Sequence, residues 1–173
     1  MEIKINKVKI AELKAMNKFT GRENYNLNYL VYNGKDQKFE VSNGKIAIMV
    51  DCPIDNLTDN YYKVIILKES IMLTEIDSYP DLSRIYPTMD LYGKKGEFIH
   101  NGKTDVIDTF LSIFLSEIEE CYNYKYLLNL PKCDKYDYYK MKHYDENASL
   151  FIGEISLGKI KVLVMPIVKS KYK

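Results

Sequence analysis

Lys38-Phe39-Glu40-Val41-Ser42-Asn43-Gly44-Lys45-Ile46-Ala47-Ile48-Met49-Val50-Asp51 is the stretch on which the fold turns. Lys38–Ser42 and Lys45–Asp51 are rich in apolar and β-branched residues, and Asn43-Gly44 between them can take the positive φ that a tight hairpin needs. The segment is predicted as two antiparallel strands joined by a sharp turn. A further strand, Leu27–Tyr32, is predicted just upstream, with Asn33-Gly34 supplying a second turn of the same kind. Together these make a three-strand meander.

Working outward, Glu2–Ile5 alternates charged and apolar residues and reads as a strand. Asn6 can cap a helix from Lys7 to Lys18, closed by Phe19-Thr20-Gly21. Its apolar positions Ile10, Leu13 and Met16 share one face, and Lys7, Lys14 and Lys18 lie together on the other. Beyond a polar connector at 53–62, Val64–Leu67 suits a buried strand and Glu69–Ile76 a short helix. Tyr79–Pro87 carries two prolines and must be extended. Gly93-Lys94-Lys95-Gly96 reads as a turn between strands Met89–Tyr92 and Glu97–His100. Thr104–Glu120 is the clearest helix, with Val106, Ile107, Phe110, Leu111, Phe114 and Ile118 as its apolar stripe. Lys125–Leu130 is a short helix stopped by Pro131, and strands are expected at Tyr136–Lys142, Ser149–Ile152 and Lys159–Val168. The first and last thirds thus read alike, as a helix followed by three strands. The fold class expected is α+β, helices packed on antiparallel sheets, in one domain spanning 1–173: a first half 1–67, a compressed or inserted middle 68–120 and a second half 121–173.

Composition narrows the classes of function. With 46% apolar residues in 173, the chain can bury a core without staples. Its 25 basic and 24 acidic residues leave a formal charge of +1, so any contact with DNA must come from local segregation of lysines. Three cysteines (Cys52, Cys121, Cys133) show no metal-like spacing and suit a reducing compartment. The start is unlike a secretory leader and no apolar run approaches the ~20 residues of a membrane span, so a soluble cytoplasmic protein without a membrane partner is expected. The 16 tyrosines and absent tryptophan fit an AT-rich genome better than a function.

Nothing in the chain supports an enzyme. His100 and His143 have no carboxylate or cysteine at helical spacing and read as ordinary surface or half-buried residues. Gly93–Gly96 lacks the spacing and the hydroxyl of a phosphate loop, and no Gly-x-Ser-x-Gly elbow is present. Glu117, Glu119 and Glu120 read as a solvated acidic helix end. No metal and no cofactor is expected. Lys7, Lys14 and Lys18 are the candidates for phosphate contact, a salt-sensitive and sequence-blind interaction, against the plainer reading of a solvated helix face.

Several of these segments, in their order along the chain, resemble the bacterial DNA polymerase III beta-subunit, the sliding clamp. Tyr25-Asn26-Leu27-Asn28-Tyr29-Leu30 is similar to the strand after the first helix of a clamp domain, and Ser42-Asn43-Gly44-Lys45-Ile46-Ala47 to the family's Thr-Asp-Gly-His-Arg-Leu-Ala turn, one residue shorter. Lys63–Leu67 with the helix expected after it resembles the next strand and helix. Tyr79-Pro80-Asp81-Leu82-Ser83-Arg84-Ile85-Tyr86-Pro87 resembles the Phe-Pro-Asp-Tyr-x-Arg-Val-x-Pro linker between domains, Asn123–Leu128 the start of the last helix, and Val164-Met165-Pro166-Ile167 the terminal Met-Pro-Met segment.

What the resemblance implies is a shortened, phage-like or mobile-element relative built from strand–helix–three-strand halves. Its cleft for the short linear motifs of polymerases and repair factors would be Leu27, Ser42, Gly44, Lys45, Ile46, Pro80, Ile85, Met165, Pro166 and Ile167. Its helices would line the hole through which double-stranded DNA passes, with Lys7, Lys14 and Lys18 facing it. One domain cannot encircle a duplex, so a homo-oligomer is implied. The chain departs from the family in its length, in the strands missing between Ile76 and Tyr79, and in the acidic helix at 104–120, which has no counterpart. The alternative is an adaptor or decoy that uses the same groove without binding DNA.

Overall fold

Asn6 opens the one helix described over its whole length; the residues described in this computed structural model are 1–21, 27–82, 94–100, 126, 129–143 and 146–165. Its backbone is extended (φ −72°, ψ 164°) and its Oδ1 accepts the Lys9 N–H at 2.9 Å, so helix α1 (Lys7–Asn17) begins where the sequence predicts. Ile10, Leu13 and Met16 are buried, while Lys7, Lys14 and Lys18 are exposed on the opposite side. Strand β1 (Glu2–Lys4) precedes it.

The remaining elements are all strands: β2 (Val31–Asn33), β3 (Lys38–Ser42), β4 (Ile46–Asp51), β5 (Tyr61–Ile66), β6 (Ser70–Ile76), β7 (Lys94–His100), β8 (Cys133–His143), β9 (Glu146–Glu154) and β10 (Lys159–Val164). They form one ten-stranded antiparallel sheet in the order β1-β6-β5-β2-β3-β4-β10-β9-β8-β7. Two three-strand meanders, β2-β3-β4 and β8-β9-β10, therefore meet last strand to last strand. Ile48 faces Val162 and Ala47 faces Leu163 across that junction.

Side chains alternate across a strand, so the junction serves two faces at once. Ile46, Ile48, Val50, Ile160, Val162 and Val164 point to the side where α1 packs, and with Tyr32, Phe39, Tyr136 and Phe151 they form the main core. The other side carries two smaller apolar clusters. One contains Val31, Ala47, Met49, Tyr79 and Leu82; the other contains Ala148, Leu150, Ile152 and Leu163. Both faces of β4 are buried, which explains its nearly unbroken apolar sequence.

Several expectations are corrected. Glu69–Ile76 is not a helix: Leu67 N–H donates to the Ser70 carbonyl at 2.9 Å, closing a two-residue turn, and β6 then pairs with both β5 and β1. Ile71 and Leu73 are buried while Met72 and Thr74 are exposed, a period of two that the short apolar run concealed. Of Leu27–Tyr32 only the end joins β2, because Leu27 and Tyr29 lie over the outer face and cover it. The Asn33-Gly34 turn does not place its positive φ on glycine; Gln37 carries it (φ 53°), and a Cβ at Gly34 would overlap the Thr58 carbonyl oxygen. Lys94, Lys95 and Gly96 belong to β7 and not to a turn, with the register against β8 shifting between Lys94 and Gly96, the bulge a strand glycine favours.

The α+β expectation is thereby shifted towards strand: among the described residues α1 and the helical Tyr126 pack on a ten-stranded sheet. The first strand–helix–three-strand half is present as β1-α1-β2-β3-β4, and the last third supplies its three strands. The expected Thr104–Glu120 helix and the Met89–Tyr92 strand lie outside the described residues. Of Lys125–Leu130, Tyr126 is helical and Asn129 and Leu130 form a turn and a bend; 125, 127 and 128 lie outside.

Candidate functional site: an apolar notch at the junction of two meanders

The β3–β4 turn is built by its own side chains. Asn43 Oδ1 accepts the N–H groups of Lys45 (3.0 Å) and Ile46 (3.1 Å), and Ser42 Oγ accepts from Gly44 N–H (3.1 Å) while donating to the Ile46 carbonyl (2.9 Å). Gly44 sits at the first tip position with φ 82°, where only glycine is unstrained. Past the end of β10, Met165 N–H donates to the Lys45 carbonyl at 2.9 Å and draws the following segment against the turn.

Beside this turn, on the face away from α1, lies a cavity of about 260 Å³. Ala47 and Leu163, cross-strand partners in the β4–β10 junction, are buried at its base, Leu27, Leu82 and Met165 add apolar surface, and Ile46, whose side chain turns to the α1 side, borders it beside the turn. Ser42, Gly44, Lys45 and Pro80 complete the lining. The cavity sits where the two outer apolar clusters meet, one supplying Ala47 and Leu82, the other Leu163 and Met165. Alanine at 47 leaves room that a larger side chain would fill. A second cavity, about 850 Å³, shares Leu27, Gly44, Lys45 and Pro80 with the first and adds Thr20, Gly21, Asn43 and Tyr126.

Of the ten residues expected to form a cleft, Leu27, Ser42, Gly44, Lys45, Ile46, Pro80 and Met165 all line the smaller cavity. Ile85, Pro166 and Ile167 lie outside the described residues. Ser42 is present in a different capacity: its hydroxyl is taken up by the turn, so it shapes the rim instead of offering a polar contact. Ala47, Leu82 and Leu163 were not expected. Strand alternation was the available signal for Leu163, two residues before Met165, and Leu82 stands beside Pro80 in the same motif.

The strap that carries Pro80 and Leu82 is held by tyrosines. Tyr79 is buried against the rings of Tyr29 (6.3 Å between centroids) and Tyr61 (6.0 Å), and Lys63 Nζ lies 5.2 Å from the centre of the Tyr29 ring. Next to this cluster Glu40 is 1% exposed; its Oε1 accepts from Asn33 Nδ2 at 3.2 Å and its Oε2 has no hydrogen-bond partner among the described residues. Burial pushes the Glu40 carboxyl up to about 7, with Asn33 and Lys38 opposing the rise and Asp36 and Asp81 adding to it. Burial, reinforced by Glu40, likewise raises the Tyr79 hydroxyl, which faces the Ser42 backbone without a hydrogen bond of normal geometry.

The three lysines singled out on α1 lie on the other side of the sheet from the notch. Between them and the core, Glu12 is buried and accepts the N–H groups of Ser156 (2.8 Å) and Leu157 (2.9 Å), tying α1 to the β9–β10 turn. That residue went unnoticed in the sequence, since nothing local marks its partner 145 residues away. Among the described residues no group of histidine, cysteine and acidic side chains is arranged to hold a metal, and no helix is long and apolar enough to cross a membrane.

No protein-family model matches the chain, and no curated protein matches it. Solved structures do. The chain is similar to the DNA polymerase III subunit beta of Borrelia burgdorferi, solved in complex with a natural product (TM-score 0.59, 12% identity, 98% of this chain and 64% of that one). It is similar to the beta clamp of H. pylori, solved with diflunisal (TM-score 0.57, 13% identity, 96% of this chain and 66% of that one). A third likeness is to the DNA polymerase sliding clamp of Pseudomonas aeruginosa, solved with a ligand (TM-score 0.55, 12% identity, 96% and 66%). At such identities the likeness is one of fold: this chain has the fold of bacterial sliding clamps and spans about two thirds of their length.

Proposed function

We propose that this chain is a clamp-like accessory protein of DNA replication, working by binding and not by catalysis. It docks the short peptide motifs of polymerase or repair partners in the 260 Å³ notch and, as a homo-oligomer in the cytoplasm, holds the α1 face towards double-stranded DNA. One observation carries the reading: four segments separated by up to 138 positions (165 − 27) line a single apolar cavity, within a fold shared with bacterial clamps. A leucine or phenylalanine side chain seated over Ala47, Leu163 and Met165 would leave water at about 25 cal/mol per Å² of apolar surface, and the glycine and proline of the rim keep its mouth from collapsing. On the far side of the sheet, Lys7, Lys14 and Lys18 are free to neutralise phosphates without reading sequence.

The test is a fluorescence titration with a Gln-Leu-x-Leu-Phe-type peptide, paired with solution mass and DNA retention across a salt series. Saturable peptide binding, a defined multimer and salt-sensitive retention support the reading; no affinity for the peptide sinks it. The formal charge of +1 favours a second reading, an adaptor or decoy that captures the same peptides without DNA. A monomer that binds peptide but leaves DNA alone is its signature.

A further inference from the structure

Lys45 is the one charged residue among the described residues that line the two cavities beside the β3–β4 turn. It is exposed at the shared rim and forms no ion pair among the described residues. Its backbone is clamped on both sides, by Asn43 Oδ1 at its N–H and by Met165 N–H at its carbonyl, so its side chain leaves from a fixed point. The polar groups around it lean towards donors. Both hydrogen bonds that Asn43 makes through Oδ1 serve the turn, which leaves its Nδ2 with no partner among the described residues. Among the described residues no acidic side chain lines either cavity. An apolar notch therefore adjoins a wider space, with a positive charge on the rim they share and an amide donor beside it in the wider one.

We propose that Lys45 is a specificity-determining residue, which selects peptides whose apolar anchor is flanked directly by a carboxylate. The inference rests on the notch being a peptide site and adds the chemistry that chooses among peptides. The apolar side chain enters beside Ala47 and Met165, and the carboxylate meets Lys45 Nζ and Asn43 Nδ2 at the rim. The pairing is solvent-exposed, so it discriminates without dominating affinity and weakens with salt. The carboxylate can belong to an Asp or Glu side chain or to the terminus of the partner chain, and the rim chemistry is the same for both.

Four labelled peptides on one Gln-Leu-x-Leu-Phe core separate these cases by fluorescence anisotropy: x as Asp or Asn, each with a free or an amidated C-terminus. The wild-type chain is expected to bind at least one acidic form about fivefold more tightly than the doubly neutral one at low salt. Whichever carboxylate brings the gain identifies its source. The preference should vanish in Lys45→Gln and reverse in Lys45→Glu. Equal binding of all four peptides, or a preference that survives Lys45→Gln, overturns the proposal. If that equal binding is still lost in Met165→Asp, the notch stands as a peptide site and only the selection by charge falls. If no peptide binds the wild-type chain, both fall.

Discussion

The backbone N–H of Met165 donates to the carbonyl oxygen of Lys45 over 2.9 Å, one step beyond the last register pair of β4 and β10, Ile46 with Val164. That bond joins the Asn43-Gly44 turn to the end of the second meander. The two walls of the notch therefore come from opposite ends of the chain yet cannot drift apart independently.

Met165→Asp sets a carboxylate inside an apolar lining, and Pro80→Asp does the same from the opposite rim. Each is expected to weaken a Leu-Phe peptide by about tenfold or more. Met165 is half-buried and Pro80 exposed, so the far-ultraviolet circular dichroism should stay that of the parent. Unchanged affinity in both variants, with that spectrum intact, removes the notch as the binding site.

Glu12 ties α1 to Ser156 and Leu157 through both carboxylate oxygens. Glu12→Ala strips the buried Leu157 N–H and the part-buried Ser156 N–H of their acceptor and should cost about 1–3 kcal/mol, whereas Glu12→Gln keeps one acceptor and should cost less. Urea unfolding of the two variants measures the difference. A loss under about 0.5 kcal/mol in Glu12→Ala would mean that solvent replaces the carboxylate at this turn.

Two turn glycines predict unequal outcomes. Gly44 has φ 82° but open space around a built Cβ, so Gly44→Ala should cost only the backbone penalty, about 1 kcal/mol. Gly158 has φ 152°, and a Cβ there would overlap the Asp51 carbonyl oxygen, so Gly158→Ala combines strain with a backbone clash and should cost several-fold more, about 3 kcal/mol or above. Comparable melting temperatures for the two variants would contradict this geometry.

Glu40 makes stability depend on pH. Its carboxyl titrates at about 7 in the folded chain against an ordinary 4.5, so between those values the folded state binds more protons than the unfolded one. Stability therefore falls as pH rises from about 4.5 to 7 and stays lower above that, by on the order of 3 kcal/mol at most. Glu40→Gln keeps an acceptor for Asn33 and should flatten this part of the profile while raising stability at pH 8. A Glu40→Gln chain whose pH profile overlays the parent's would show that the buried carboxyl titrates normally.

Legibility tracked how local each signal was. The Asn6 cap, the Ile10/Leu13/Met16 face and the Asn43-Gly44 hairpin all depend on contacts a few residues apart, and each was readable. Glu69–Ile76 fits a helix as well as a strand in so short a stretch, until partners on both sides, β5 and β1, decide for the strand Ser70–Ile76. Leu27 and Tyr29 were misread as strand for the converse reason: an apolar segment can cover a sheet as readily as join one, and local sequence does not distinguish the two. Leu27, Ser42, Gly44, Lys45, Ile46, Pro80 and Met165 are legible from turn, linker and tail motifs, whereas Ala47 and Leu163 line the notch because β4 and β10 are paired, and Leu82 because the strap folds over the outer face.

By itself, the sequence determined the Asn43-Gly44 reversal, the Asn6 cap and the apolar face of α1, since φ preferences, capping and periodicity are properties of neighbouring residues. Only the tertiary structure decided that β4 and β10 lie side by side, that Glu12 caps a distant turn and that Glu40 is sealed from water. Those outcomes depend on the summed burial of both sheet faces, a quantity that no short window of residues contains.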